Sequence, residues 1–302
     1  MDFKSKIILI SGPTASGKSH FAIKIAKKIK GEIINADSMQ VFKEFKILSA
    51  RPFQKDFNKI RHHLYGFRSV KRNFSTGDWL KLAKQKIEDI KKRKKIPILV
   101  GGTGLYFKAL TDGLVNIPNI PIKFRNNIRS LHKKIGSKKF FSKLIQLDPL
   151  ARNKINLFDT QRLIRAYEVK SYTKKSIFDW FKNTQSDFEK KDFYKIYIDY
   201  PRDELIKRIN TRTEEMIKNG AVLEVKKFIR LKVPMSKTAS KAIGIKEIRS
   251  YLNKKIQKTE VIEQISIKTR QYAKRQSTWG RGNMLDWNKI KLDGLNKFLK
   301  KL

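Results

Sequence analysis

The chain has 302 residues, no cysteine and a formal net charge of +43. That length accommodates one large domain with an insertion, or two domains, and the missing cysteine excludes disulfides, a thiolate zinc site and a cysteine nucleophile. So large an excess of Lys and Arg draws polyanions, nucleic acid first among them, although abundant Lys, Ile, Asn and Phe also fit a compositional bias acting on solvated faces.

No apolar run approaches ~20 residues, so no membrane span is expected. Met1–Ser11 carries no secretory signature, and the cytoplasm is the simplest location. The first predicted element is a strand, Ile7-Ile8-Leu9-Ile10, followed by Gly12-Pro13-Thr14-Ala15-Ser16-Gly17-Lys18-Ser19 and then a helical pattern from Phe21 to Ala26. Strand, glycine loop and helix together are the context of a phosphate-binding P-loop. Its amides can point at phosphate oxygens, and the helix adds its positive dipole end. Lys18 would reach a terminal phosphate, and the Ser19 hydroxyl would hold Mg²⁺.

Glu32–Asn35 reads as a second strand, ending at Ala36-Asp37-Ser38-Met39-Gln40. Asp37 thus sits where an α/β sheet presents functional carboxylates; the same pattern suits an ordinary helix cap by Asp37 or Ser38. Residues 49–67 read as irregular. Adjacent His62 and His63 cannot share a helix face, so they are placed in a loop or strand edge and not in a metal site of their own. Thr76–Lys94 has Trp79, Leu80, Ala83, Ile87 and Ile90 at helical spacing. Its basic tail suits a helix end.

Ile96–Val100 reads as a buried strand running into Gly101-Gly102-Thr103-Gly104 and a helix over 105–110, a second ligand-facing glycine turn. Thr103 could donate to a phosphate oxygen, although the glycines would serve a plain tight turn equally well. A proline-marked hinge at 117–121 then separates a core over 1–119 from a helical, basic, strand-poor insertion over 120–193. There Arg125 and Arg129 lie one turn apart, and Arg162 and Arg165 sit at i, i+3, with Leu163, Ala166 and Tyr167 on a core-facing stripe. Paired arginines suit phosphate or base contacts; surface salt bridging, with Glu168 as partner of Arg165, is the competing reading.

The core resumes over 194–302. Tyr194–Asp199 reads as a returning strand, and helices follow over 202–218, 222–231, 240–252 and 260–279. The last stacks Arg270 over Lys274 and Gln271 over Arg275, a basic face with interleaved aromatics usable for RNA. Met284–Trp287 is the remaining strand candidate.

Together, Gly12–Ser19, Asp37-Ser38-Met39-Gln40, Gly101-Gly102-Thr103-Gly104-Leu105-Tyr106, Asp159–Val169 and Thr269–Gly282 resemble, in order and spacing, the bacterial tRNA dimethylallyltransferases. The chain departs from that family at Leu48-Ser49-Ala50-Arg51-Pro52, where Gly-Thr-Ala-Lys-Pro is usual. It also departs at Gly66, where a carboxylate is usual, and at Phe42 and Ile245, where Tyr is usual.

The resemblance implies a P-loop NTPase-like parallel sheet with flanking helices and an inserted helical RNA-binding domain. It implies transfer of a dimethylallyl group from dimethylallyl diphosphate to N6 of adenine 37 beside the tRNA anticodon, with Mg²⁺ as cofactor and the tRNA anticodon stem-loop as partner. A monomer is expected. Gly12 to Ser19 would bind the diphosphate or ATP, and Asp37 and Thr103 would be catalytic. The tRNA contacts would fall to Asp37, Ser38, Met39, Gln40, Thr103, Arg125, Gln161, Arg162, Leu163, Ile164 and Arg165, with Arg270, Lys274 and Arg275 from the basic helix. A P-loop kinase with residues 120–192 as lid, and a non-catalytic RNA binder, are the alternatives.

Overall fold

A computed structural model of the chain describes residues 3–57 and 59–302; Met1 and Asp2, at the start of the Met1–Ser11 stretch, and Asn58, in the irregular stretch, lie outside the described residues. The strands are β1 (Ile7–Ser11), β2 (Gly31–Asn35), β3 (His62–His63), β4 (Ile96–Val100), β5 (Phe193–Asp199) and β6 (Asn288–Lys291). The helices are α1 (Lys18–Ile29), α2 (Thr76–Lys92), α3 (Gly104–Thr111), α4 (Ile122–Leu147), α5 (Thr160–Thr173), α6 (Ile177–Lys182), α7 (Arg202–Lys218), α8 (Ala221–Arg230), α9 (Ile245–Leu252), α10 (Lys258–Asn283) and α11 (Gly294–Lys300).

The strands form one six-stranded parallel sheet in the order β3-β2-β4-β1-β5-β6. β1 is apolar from Ile7 to Ile10 and buried at every position, as a central parallel strand covered on both faces must be. One face packs Ile7, Leu9, Ile34 and Leu99 against α2 and α3; the other packs Ile8, Ile10, Ile33 and Ile98 against α1. Ser75 and Asp78 cap α2 reciprocally, satisfying amides that would otherwise be unpaired at its start.

The chain divides into two compact units, residues 1–111 with 188–302, and residues 112–187. Sequence boundaries of 120 and 193 sit inside these limits at one end and outside at the other. Phe188 already packs on the sheet core and Phe193 pairs with Ile7 as the first residue of β5. The smaller unit is helical, with its own core of Phe140, Leu144, Leu163, Ala166 and Val169; Gly136, at φ 75°, breaks α4.

Two expected elements moved. Met284–Trp287 is not a strand: Met284 and Trp287 are buried side chains of the sheet core, Trp287 lying edge-on to Phe107 at 5.3 Å. The polar residues just after them form edge strand β6 instead. The helix expected over 240–252 begins only at Ile245, because Gly244 at φ 105° interrupts it. The adjacent histidines form edge strand β3, where His63 Nε2 contacts Glu32 at 2.7 Å and His62 stacks on Phe57 at 3.9 Å. No helix of the described residues is long and apolar enough to cross a membrane.

Candidate active site

The strand order brings together turns that are far apart in sequence. β2, β4 and β1 are neighbours, so Asp37 after β2, the glycine turn after β4 and the P-loop after β1 emerge side by side at the carboxyl edge, where α/β sheets bind ligands. Backbone bonds stitch these ends together. Ala36 N–H donates to Val100 O at 2.8 Å, Gly101 N–H to Ile10 O at 3.2 Å, and Thr103 N–H to Ala36 O at 3.2 Å. Glycine is required at 101, since a Cβ there would lie 2.0 Å from Ala36 O. It is also favoured at 17, where φ is 81° as the loop turns into α1.

A cavity of about 530 Å³ opens at this edge. The P-loop contributes Thr14, Ala15, Gly17, Lys18 and Ser19; Asp37, Gln40 and Gly101 come from the neighbouring strand ends. Pro13 and Ser16 are buried behind this surface, and the Ser16 hydroxyl has no hydrogen-bond partner. Lys18 Nζ donates to Pro13 O at 2.6 Å, folding back on its own loop. Burial pushes the Lys18 ammonium down to about 7, with Asp37 opposing the shift and Arg212 adding to it.

Asp37 is fixed from three sides. Its Oδ1 accepts from Met39 N–H at 2.9 Å and Gln40 N–H at 3.4 Å; residues 38–41 are a turn and not a helix, so Asp37 closes that turn and the expected helix cap is not formed. Its own N–H donates to Asn35 Oδ1 at 2.9 Å, and Asn35 Nδ2 donates back to Asp37 O at 3.0 Å. Thr103 Oγ1 accepts from Ser38 N–H at 3.0 Å, which leaves the hydroxyl proton available to donate. Burial, reinforced by the charge of Asp37, raises the phenols of Tyr65, Tyr106 and Tyr272 and keeps them neutral. Thr103 itself lines a second cavity of about 240 Å³, together with Tyr197, Tyr272, Arg275 and Trp279. Gln276 lines both cavities.

Sequence reasoning missed three of the cavity's polar groups. Gln276 Oε1 accepts from Thr14 N–H at 2.8 Å while its Nε2 donates to Gly102 O at 2.8 Å, so one side chain of α10 ties the P-loop to the glycine turn. Arg212 Nη2 donates to Thr14 Oγ1 at 3.0 Å, and Arg208 lines the same wall from one turn earlier on α7. Burial lowers the Arg212 guanidinium, Asp37 opposing and Arg208 assisting. The i, i+4 spacing of Arg208 and Arg212 was available in the sequence; what they face was not.

The departures from the family pattern have local explanations. Arg51 and Gly66 meet in space. The Arg51 guanidinium donates to Phe42 O at 3.1 Å, and a Cβ on Gly66 would lie 1.5 Å from Arg51 Nη1. The two departures therefore lie against each other, and Gly66 at φ 57° occupies a left-handed turn that favours glycine. Phe42 and Ile245 are both buried in an apolar cluster, where no hydroxyl is needed. Gln40 Nε2 donates to Ser49 O at 3.0 Å, holding the divergent turn at the cavity rim.

The basic residues of α10 divide. Lys274 and Arg275 are exposed, Arg275 lying over the Tyr272 ring at 5.8 Å, and Arg270 is half-buried. Within the helical unit, Arg162 is exposed and pairs with Asp159 at 3.3 Å. Leu163 is fully buried in that unit's core and its side chain has no surface to offer RNA; its neighbour Ile164 packs against the same core. Arg165 does pair with Glu168, at 3.5 Å.

The donor set suits a hard divalent cation: a Ser19 hydroxyl and an Asp37 carboxylate line one cavity, and Mg²⁺ prefers oxygen ligands shared with substrate phosphates. Among the described residues no group of three or more His, Asp or Glu could cage a metal alone. A cation held there would need further oxygen ligands beyond these two.

A parallel sheet whose central strand opens into this loop, flanked by a carboxylate and a hydroxyl at the next strand ends, defines a P-loop-like α/β protein. A family model described as IPP transferase matches residues 40–283. A tRNA dimethylallyltransferase of Pelagibacter ubique is 59% identical, covering 100% of this chain and 97% of that one. One from Rickettsia massiliae is 45% identical over 97% and 81%. Among solved structures, a eukaryotic dimethylallyltransferase acting on tRNA has a TM-score of 0.83 at 27% identity, covering 95% of this chain and 73% of that one. The tRNA isopentenylpyrophosphate transferase of Bacillus halodurans has a TM-score of 0.69 at 29% identity, over 98% and 95%. The chain belongs to the IPP transferase family and is a prenyl-transferring enzyme.

Proposed function

We propose that this enzyme transfers a dimethylallyl group from dimethylallyl diphosphate to N6 of adenine 37, beside the anticodon of tRNA, giving N6-(dimethylallyl)adenosine. The observation that carries the reading is that Asp37 lines the same cavity as Lys18 and Ser19. A leaving diphosphate and a proton-accepting carboxylate thus share one space.

The allylic C1–O bond breaks readily once the leaving group's charge is neutralised. The loop amides, Lys18, Arg208 and Arg212 neutralise it. Ser19 would hold Mg²⁺, which when bound supplies further positive charge toward the leaving group. The exocyclic amine of adenine is a weak nucleophile, because its lone pair is delocalised into the ring. Asp37, accepting a hydrogen bond from N6–H, orients that amine and takes its proton as the N6–C1 bond forms. The fixed Asn35 and backbone contacts hold the carboxylate in place without using its second oxygen. Thr103 donates its hydroxyl proton to a phosphate oxygen. A stacked base cannot reach the site, so the adenine enters flipped out, at a cost of a few kcal/mol. Gln40, Arg125 and the residues from Gln161 to Arg165 that face solvent contact the RNA, as do Arg270, Lys274 and Arg275.

The test is incubation with labelled dimethylallyl diphosphate, Mg²⁺ and unmodified tRNA, followed by nucleoside analysis. Label on adenosine beside the anticodon is expected. Steady ATP turnover without RNA, and no label transferred, would replace this reading with a small-molecule kinase.

A further inference from the structure

The helical unit contains a charge arrangement that ordinary salt bridging does not explain. Glu168 on α5 is 2% exposed. Arg125 Nε approaches its Oε2 at 3.2 Å, Arg165 Nη1 the same oxygen at 3.5 Å, and Arg129 Nε its Oε1 at 3.8 Å. Oε1 makes no hydrogen bond. A buried carboxylate needs a cationic partner, and one arginine supplies it. Here three converge from two helices, each remaining between about a third and a half exposed. The cluster keeps a surplus of two positive charges on groups that mutual repulsion would otherwise drive apart. That repulsion is visible at Arg165: burial lowers its guanidinium and Arg125 lowers it further, while Glu168 opposes both.

A surplus held in register, half-exposed and on planar donors is the arrangement that phosphodiester recognition requires. We infer that Glu168 is a positioning residue for RNA binding: its buried carboxylate gathers Arg125, Arg129 and Arg165 into one face that takes backbone phosphates of the tRNA. Glu168 does not touch the RNA; it fixes the arginines that do. The inference rests on the proposed function and adds Arg129 and Glu168 to it.

The two possible roles of Glu168 predict opposite signs. If it were only one negative charge near a basic surface, removing that charge would tighten tRNA binding. If it positions the arginines, removal weakens binding although the protein becomes more positive. The experiment is Glu168→Gln in the full chain, with tRNA affinity measured by filter retention across a salt series without donor, and KM and kcat measured alongside. The expected result is a Kd and a tRNA KM raised about tenfold, with kcat within about twofold and a shallower salt slope. Unchanged or tighter binding overturns the inference.

Arg129→Ala covers the case in which Glu168→Gln melts the unit, as judged by its helical circular dichroism. It should weaken binding and flatten log Kd against log salt by about 0.7–0.9, the share of one phosphate contact. Arg129→Lys should restore part of that. An unchanged slope in Arg129→Ala also overturns the inference. The wild-type protein separates this from the parent reading: wild-type transfer to tRNA with unchanged variants defeats only the role of Glu168, whereas no wild-type transfer defeats the function itself.

Discussion

Lys18 should make donor binding a proton-coupled event. Burial at the P-loop holds its ammonium near 7, against an ordinary lysine value of 10.5. The sign follows from that depression. The charge is present below about 7 and is lost as pH rises through it, so attraction for a diphosphate is full on the acid side and declines on the alkaline side. A bound diphosphate restores the proton, because an adjacent anion favours the charged lysine. One pKa unit corresponds to about 1.4 kcal/mol, or a factor of ten. The Kd for dimethylallyl diphosphate should therefore rise towards tenfold per pH unit above about pH 7.5, and each ligand should take up close to one proton at about pH 8.5. Titration calorimetry in buffers of different ionisation heat reads that uptake directly. Lys18→Arg keeps its charge throughout, so its uptake should vanish at about pH 8.5. A Kd that stays flat between about pH 7 and 9, or an uptake that persists in Lys18→Arg, would refute the argument.

Three further outcomes follow from the same geometry. Asp37→Ala should lower kcat by about 10²–10⁴-fold while leaving tRNA affinity largely intact, as loss of a general base does; near-normal turnover would remove Asp37 from the chemistry. Arg162→Ala should weaken tRNA binding and flatten its salt dependence, since this side chain is 75% exposed and held only across its own helical turn. An unchanged slope would make it a structural residue. Trp79→Phe should reduce unfolding free energy by about 1–3 kcal/mol in urea titrations, because the buried Asn35 carbonyl loses the indole N–H that donates to it at 2.8 Å. A loss below about 0.3 kcal/mol would contradict that accounting.

Residues whose position is set by their immediate neighbours could be placed in advance. The P-loop lies between an apolar strand and a helix, and all three are local features. Asp37 and Thr103 each stand just past a short apolar run, which is enough to place them at strand ends. The pairing of Arg165 with Glu168 follows from helical spacing. The strand expected at Met284–Trp287 fails because Met284 and Trp287 turn into the core while Leu285 and Asp286 between them are exposed, and the strand is the edge that follows.

The sequence alone placed a glycine loop between a strand and a helix, carboxylate- and hydroxyl-bearing strand ends and a basic helical insertion. It did not contain the strand order, and the strand order is what makes those parts one site: β4 lies between β2 and β1 although it follows both in the chain. Gln276 reaches Thr14 across 262 positions and Arg212 reaches it across 198. Contacts of that range depend on how helices return over a sheet, which is settled by packing the whole core and not by any local propensity. The same holds for Arg129, whose partner Glu168 lies on another helix and was recognisable only once α4 and α5 had packed together.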